Sequence, residues 1–488
     1  MLPKAGTIHS APTGIPPSAV LRPLALFGIG FGALSTIADP DLWGHLRFGL
    51  DIITSGHVRT TSDPYSFTAD RPFLYHEWLG GVVMGVAYRV GGTWGLMVLK
   101  AFLAIIPAAL AWSALKRTQF AWRWFGVALV SWGTLALAFT LRPQLWTAIA
   151  LFVVCRVLTS GSRRALWSLP LLFAAWANLH GGWIVGGALL AVWTTKAWLE
   201  RSSQRWHFLL VGITSLAATL LTPYGVDLWM FLAETVRLNR NDISEWSPIW
   251  RAGPGFSIMW TATITFVALS WRRWGRPTGA LLFTLMSFAY ASARVNRLVP
   301  LFAIVSVALI SRQWPNDRSL SHYREKMRAV LDGTAVAMCL LVAFALGGIP
   351  QCISLDHDTA PDTVAAEALR GAQGRLVTHF NWGEYALWHF GPALRVSIDG
   401  RRETIYTSTT IEEQQAIPEG LERGLKALER ITPEYVWLPS SATTTAGWLT
   451  NHGYRIDIRT KRSYVAVRAD LPRLSAWAGT TSGCFPGP

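Results

Sequence analysis

The chain has 488 residues, 51% hydrophobic and only 15% charged, with 26 tryptophans and a formal net charge of +15. Soluble domains carry about 25% charged residues, so the composition excludes an ordinary soluble globule and points to a polytopic membrane protein. The positive balance does not make it a nucleic-acid binder: the basic residues fall in short clusters between apolar runs, with no basic stripe and no binding module.

In chain order, residues 1–18 contain several Pro and Ser and read as a cytoplasmic arm, with no cleavable signal peptide. The apolar runs are 19–37, 94–115, 124–141, 143–158, 165–179, 183–199, 206–222, 257–271, 278–292, 298–312 and 329–349. Each is read as a span, although several fall short of the ~20 residues of an ideal crossing. Stretch 78–91, "WLGGVVMGVAYRVG", is too short and Gly-rich for a span and is expected as an interfacial or re-entrant helix. The basic clusters Lys116–Arg117 with Arg123, Arg163–Arg164, Arg201–Arg205, Arg272–Arg276 and the 312–328 linker belong in the cytoplasm. Counting from these anchors puts 38–77, Arg142–Pro143, 178–183, 223–256, 293–297 and everything after 350 outside. The fold class is thus an α-helical polytopic membrane protein with about 11 transmembrane helices, over 19–350.

Residues 351–488 change character. "RLVTHF", "LRVSIDGR" and "EYVWLP" read as strands, 411–430 and 443–452 as helical, and "YRIDIRTKRSYVAVR" as a hairpin, which predicts a small extracytoplasmic α/β domain. Cys155 and Cys339 sit in apolar runs as small core residues. Cys352 and Cys484 flank the outer domain, where a disulfide survives. No CxxC or Cys/His cluster points to zinc.

Sorted by side, the polar residues of interest gather outside: Asp39, Asp41, His45, Asp63, His76, Glu77, Arg142, Asn178, His180, Glu245, Arg294, Asn296 and Arg297. Charged groups at membrane level are expensive and usually mark a cavity with a purpose. Each also has a plainer reading. Asp39 and Asp41 can cap a short amphipathic surface helix running to residue 54, with Leu42, Leu46, Leu50 and Ile53 on one face. Asp63 in "SDPYS" fits a turn. His76–Glu77 fits an interfacial anchor beside Trp78, and His180 a buried histidine holding a helix end. Outward Arg294 and Arg297, in "ASARVNR", run against the positive-inside bias. They fit a phosphate or diphosphate, or snorkelling to headgroups; Arg142 invites the same argument more weakly. Asp399–Gly400 fits a strand-end turn.

The order and setting of several motifs resemble the GT-C superfamily of polytopic glycosyltransferases, and within it a bacterial branch of glycosyltransferase-like membrane proteins. They are "DPDLWGHLRFG", "SDPYSFT", "HEWL", "LRPQ", "NLHGGW", "TPYG", "ISEWSPI", "ARVNR", "NWGEYALW" and "SIDGRRETIY". The resemblance covers most of the chain. It implies a polyprenyl-phosphate-linked sugar donor, a glycan, lipid or protein acceptor, membrane lipids as surroundings, and a multi-pass protein of the bacterial inner membrane. It maps the family's acidic base or metal ligand onto Asp41 or Asp39, and its phosphate-binding arginine onto Arg294 or Arg297. The His76–Glu77 pair and "NLHGG" depart from better-understood members.

The chemistry such a donor needs is one base and one or two cations, for a single inverting displacement that expels the lipid phosphate. The candidate catalytic residues are Asp41, Asp39, His45, His76 and Glu77. The candidate substrate-binding residues are Asn178, His180, Arg142, Glu245, Arg294 and Arg297. No cofactor is demanded, but Mg2+ or Mn2+ bridging Asp39 and Asp41 to the phosphate is compatible with the pair. Two other functions fit less well. A transporter or lipid-handling protein should hold its polar groups near the midplane, often with inverted repeats. A non-catalytic subunit of a surface-glycan assembly would use the tail to bind a partner.

Overall fold

The computed structural model describes residues 36–60, 62–115, 120–138, 140–235, 244–275, 277–312, 352–355, 360–475 and 483–487. The expected N-terminal arm, the first span up to residue 35, the Lys116–Arg117 pair, the linker from 313 and the last span 329–349 lie outside these residues. The chain is mostly helical, with a small C-terminal sheet.

A two-residue strand, β1 (Ile37–Ala38), leads into α1 (Leu42–Ser55). There follow α2 (Trp78–Leu115), α3 (Phe120–Ala138), α4 (Gln144–Leu158), α5 (Arg163–Leu166), α6 (Leu169–Leu179) and α7 (Trp183–Leu199). Next come α8 (Arg205–Ala218), α9 (Val226–Thr235), α10 (Pro254–Trp274), α11 (Gly279–Arg294) and α12 (Val299–Ile310). The apolar runs anticipate most of these within a few residues; α9 is an addition, lying in a stretch expected as loop. Among the described residues α2 alone is both long and apolar enough to cross a membrane by length and composition. The end of the expected first span differs too. Residues 37–38 are extended because they pair in parallel with β2 (Ser354–Leu355). The bundle is built around α12, which buries every residue from Val299 to Ile310 against α3, α4, α10 and α11. A helix apolar on all sides is stable only in such a position or in lipid.

Stretch 78–91 forms the first part of α2 and runs beside α1. A β-carbon at Gly49 would overlap the Gly81 carbonyl, and Gly85 lies against Leu50 and Ile53. Farther along, Arg89 Nη2 donates to Thr54 Oγ1 at 2.7 Å. Glycines on both helices permit this approach. At Gly92 (φ 56°, ψ −142°) the helix breaks, in a conformation that glycine adopts without penalty.

The tail forms the α/β domain that its pattern predicts. Its elements are α13 (Thr363–Ala368), β3 (Gly374–Thr378), α14 (Gly383–His389), β4 (Leu394–Val396), α15 (Ser408–Glu419), α16 (Glu422–Ile431), β5 (Tyr435–Pro439), α17 (Thr443–Asn451), β6 (Tyr454–Arg459) and β7 (Ser463–Arg468). Strand order is β4-β3-β5-β7-β6, parallel around β3 and antiparallel at β7. A Cys352–Cys484 disulfide joins the two ends of the domain.

The domain is docked firmly. One hydrophobic cluster runs from Trp43, Leu46 and Met84 through Tyr385 and Trp437 to Phe485, and the Trp43 indole donates to the Pro486 carbonyl at 2.8 Å. Each large side chain fully buried this way contributes about 1.5–3 kcal/mol. A polar latch adds to it: Arg401 pairs with Asp399 (2.7 Å) and with Asp63 of the first loop (2.5 Å), its guanidinium lying over Phe48 and Phe73. Asp63 also accepts from the Tyr65 and Ser66 amides, so the expected turn exists and the residue does a second job.

Candidate active site

The loops assigned to the outer side converge at one end of the bundle, beside the C-terminal domain. Asp39 follows β1 directly and is pinned by its pairing; its Oδ1 accepts from the Asp41 amide at 3.0 Å. Arg142, in the turn before α4, brings the acidic groups together. Its guanidinium lies 2.5 Å from Asp39 Oδ2, 3.4 Å from Asp41 Oδ2 and 3.0 Å from Glu245 Oε1. Arg297 approaches Glu245 at 3.7 Å and donates to Gln144. Three carboxylates thus share two arginines.

These groups line one wall of a cavity of about 750 Å³. The facing wall comes from the C-terminal domain and includes His379, Asn381, Gly400, Arg402 and Gln414. A smaller cavity, about 140 Å³, adjoins it and shares Asp41 and Gly400. His45, Tyr75, His76, Glu77 and Glu384 line that chamber. Asp41 therefore stands between two chambers.

Glu77 is ringed by histidine Nε2 atoms: His76 at 3.4 Å and His45 at 3.8 Å, which also line the smaller chamber, and His180 at 3.4 Å, which lines neither cavity. The His180 tautomer follows from its other side. Its Nδ1 accepts from the Gly182 amide at 3.0 Å, so the ring proton sits on Nε2, facing Glu77. Burial pushes the Glu77 carboxyl up, but His180 and His76 outweigh it and hold the group well below the usual carboxylate range. Burial lowers His180 to about 4, against the opposing pull of Glu77. Asp41 behaves in the opposite way. Burial and the neighbouring Asp39 push it up to about 7, against Arg142. Two carboxyls that line one chamber are thus driven in opposite directions, the pattern by which a site separates a base from a fixed charge.

Several expected site residues take other places. Asn178 lines neither cavity: it donates to the Ala174 and Leu221 carbonyls and accepts from the Trp78 indole, which makes it a pin between three segments. Arg294 also lines neither cavity, its guanidinium lying over Trp250 at 5.9 Å. Arg142 and Arg297 face the cavity in its stead. The Asp39–Asp41 pair does not fit a bridging Mg2+ or Mn2+, because Asp39 has one oxygen on an amide and the other on Arg142. Among the described residues no group of three or more His, Cys, Asp or Glu is arranged to hold a metal.

Sequence reading missed the contribution of the tail. Glu384 lies in "NWGEYALW", singled out only as a motif, and Gly400 in "SIDGRRETIY", where Asp399–Gly400 reads as a strand-end turn. The available signal was a glutamate within an otherwise apolar, aromatic run, a setting in which Glu is seldom buried without a partner.

Two solved structures share the architecture. They are ArnT from Cupriavidus metallidurans bound to undecaprenyl phosphate and the same protein in the apo state, each at 13% identity and a TM-score of 0.55. The matches cover 92% and 93% of this chain and 98% of ArnT. No protein-family model and no curated protein matches the chain.

Proposed function

We propose that this chain is a membrane glycosyltransferase. It moves a sugar from a polyprenyl-phosphate carrier to an acceptor hydroxyl at the outer face of the bacterial inner membrane. The observation that carries the reading is that a carboxyl, Asp41, and two arginines, Arg142 and Arg297, face one cavity. The fold shared with ArnT, which was solved with undecaprenyl phosphate bound, supports it.

In this mechanism Asp41 accepts the proton of the acceptor hydroxyl as its oxygen attacks the anomeric carbon. The bond from that carbon to the phosphate oxygen breaks, and the phosphate leaves with the electron pair. Arg297 and Arg142 meet the departing charge. Asp39 and Glu245 hold Arg142 in place. The fixed charge of Glu77, with His76 and His45, hydrogen-bonds sugar hydroxyls in the smaller chamber. No step is routed through a metal.

The test is release of undecaprenyl phosphate from an undecaprenyl-phosphate sugar by protein in nanodiscs. Asp41→Asn should slow release about 10²–10⁴-fold, the usual contribution of a general base. A variant as fast as the parent would remove Asp41 from the mechanism.

A further inference from the structure

We propose that Glu384 is a positioning residue that caps α1 from the C-terminal domain in place of Asp41, leaving the Asp41 carboxylate turned toward Arg142 and the cavity. The inference rests on the reading of Asp41 as the base.

An aspartate at a helix start normally accepts from the amide two or three residues on. Asp41 stands at that position and its side chain makes no such bond. The amide it would serve, Gly44 N–H, donates instead to Glu384 Oε2 at 3.0 Å, across 340 residues of sequence. Two glycines make the room. A β-carbon on Gly44 would overlap the Glu384 carboxyl. One on Gly400 would stand 2.5 Å from Asp41 Oδ1 and 2.7 Å from Glu384 Oε1. Glu384 is 5% exposed, carried by α14, which packs on α1 with Tyr385 edge-on to Trp43.

The charged groups around the pair are Asp39, Arg142, Glu245 and Glu77 about Asp41, and Asp399 and Arg401 about Glu384. Burial, then Asp41 and Asp399, push the Glu384 carboxyl well above its usual range. A neutral acid caps the helix without setting another charge beside Asp41. Glutamine should therefore replace it, and alanine should not.

The experiment is hydrogen exchange of the full-length protein in nanodiscs, read on peptides covering residues 42–46. Glu384→Gln should exchange as the parent does. Glu384→Ala should exchange about fivefold faster or more, as expected for losing one cap acceptor. Asp41→Ala alone should leave exchange unchanged, because its side chain caps nothing. In the Glu384→Ala background, however, Asp41→Ala should speed exchange further, because there Asp41 restores the cap in part. That non-additivity is the signature. Glu384→Gln behaving like Glu384→Ala, or Asp41→Ala alone speeding exchange, overturns the proposal. With an undecaprenyl-phosphate sugar as donor, Glu384→Ala should lower kcat with KM held within about twofold, and Glu384→Gln should restore it. If the parent consumes no such donor, the transferase reading fails while the exchange arm still decides the cap.

Discussion

Replacing Arg142 with Met keeps the apolar stem and removes the guanidinium from three carboxylates. The cost is unevenly spread. Glu245 has 41% of its side chain exposed and keeps Arg297 at 3.7 Å, and Asp41 has 34% open to the cavity, so both can recruit water. Asp39 cannot: its side chain is 8% exposed and retains only the Asp41 amide. Stranding a buried charge costs about 3–5 kcal/mol, and with one carboxylate stranded the lower end applies. Adding Asp39→Asn removes that charge and should recover about 1–2 kcal/mol. Thermal unfolding in nanodiscs, followed by tryptophan fluorescence, gives the stability arm; undecaprenyl phosphate binding by native mass spectrometry gives the other. Arg142→Met should unfold at a lower temperature and bind the lipid at least about tenfold more weakly. The double variant should regain much of the unfolding temperature and none of the binding. Wild-type binding by the double variant would refute the clamp. Unchanged stability in the single variant would refute the stranded-charge account.

Gly400→Ala should slow transfer at least about tenfold in a folded protein. Its methyl lands between Asp41 and Glu384 with an overpacking penalty of about 1–3 kcal/mol, read as kcat against unfolding temperature. Arg297→Ala should weaken undecaprenyl phosphate binding at least about tenfold while Arg294→Ala stays within about twofold, since only Arg297 lines the cavity; the reverse ranking sinks the assignment. Transfer should rise with pH to a midpoint near 7 as Asp41 loses its proton, and a rate flat between about pH 5 and 8 would exclude it as the base. On acidification His180 costs stability, whereas Asp41 and Glu384, both raised in the folded chain, add it, so the His180 contribution is read as the difference from a His180→Gln variant. The unfolded chain protonates His180 at the ordinary 6.5, and the folded chain resists until about 4, so unfolding gains a proton across that window. Glu77, held below its ordinary 4.5, adds to the loss at the acid end, and His180→Gln should gain stability relative to the parent as pH falls from about 6.5.

The helices were legible because an apolar run bounded by basic clusters carries its own signal, and α4 and α7 begin and end within a residue of their expected bounds. What local pattern does not carry is a pairing that spans the chain. Residues 36–38 look like the end of an apolar run, yet they are extended because Ser354 and Leu355, more than 300 positions on, supply their partners. Helix α9 escaped notice for a related reason. Its ten residues hold Asp227 and Glu234 within a long loop, too few and too polar to read as a span.

The candidate site divides along the same line. Asp39, Asp41, Arg142, Glu245 and Arg297 stand out in the sequence because charge is costly where apolar runs end. Their grouping around Arg142 is visible only in three dimensions, and it sorts Arg297 from Arg294, which lie three positions apart. Asp41 shows why local rules stop short. By spacing alone it is an N-cap, and a capping aspartate has its oxygens committed to the helix it starts. The tail supplies that acceptor through Glu384, so the local duty is discharged from 340 residues away and Asp41 keeps a carboxylate free of the helix and turned to Arg142 and the cavity. A polar residue relieved of the structural job its position implies, by a partner the fold has gone far to supply, is a strong candidate for chemistry. The relief costs a buried glutamate and two obligatory glycines, and capping alone could have been had from Asp41 without either.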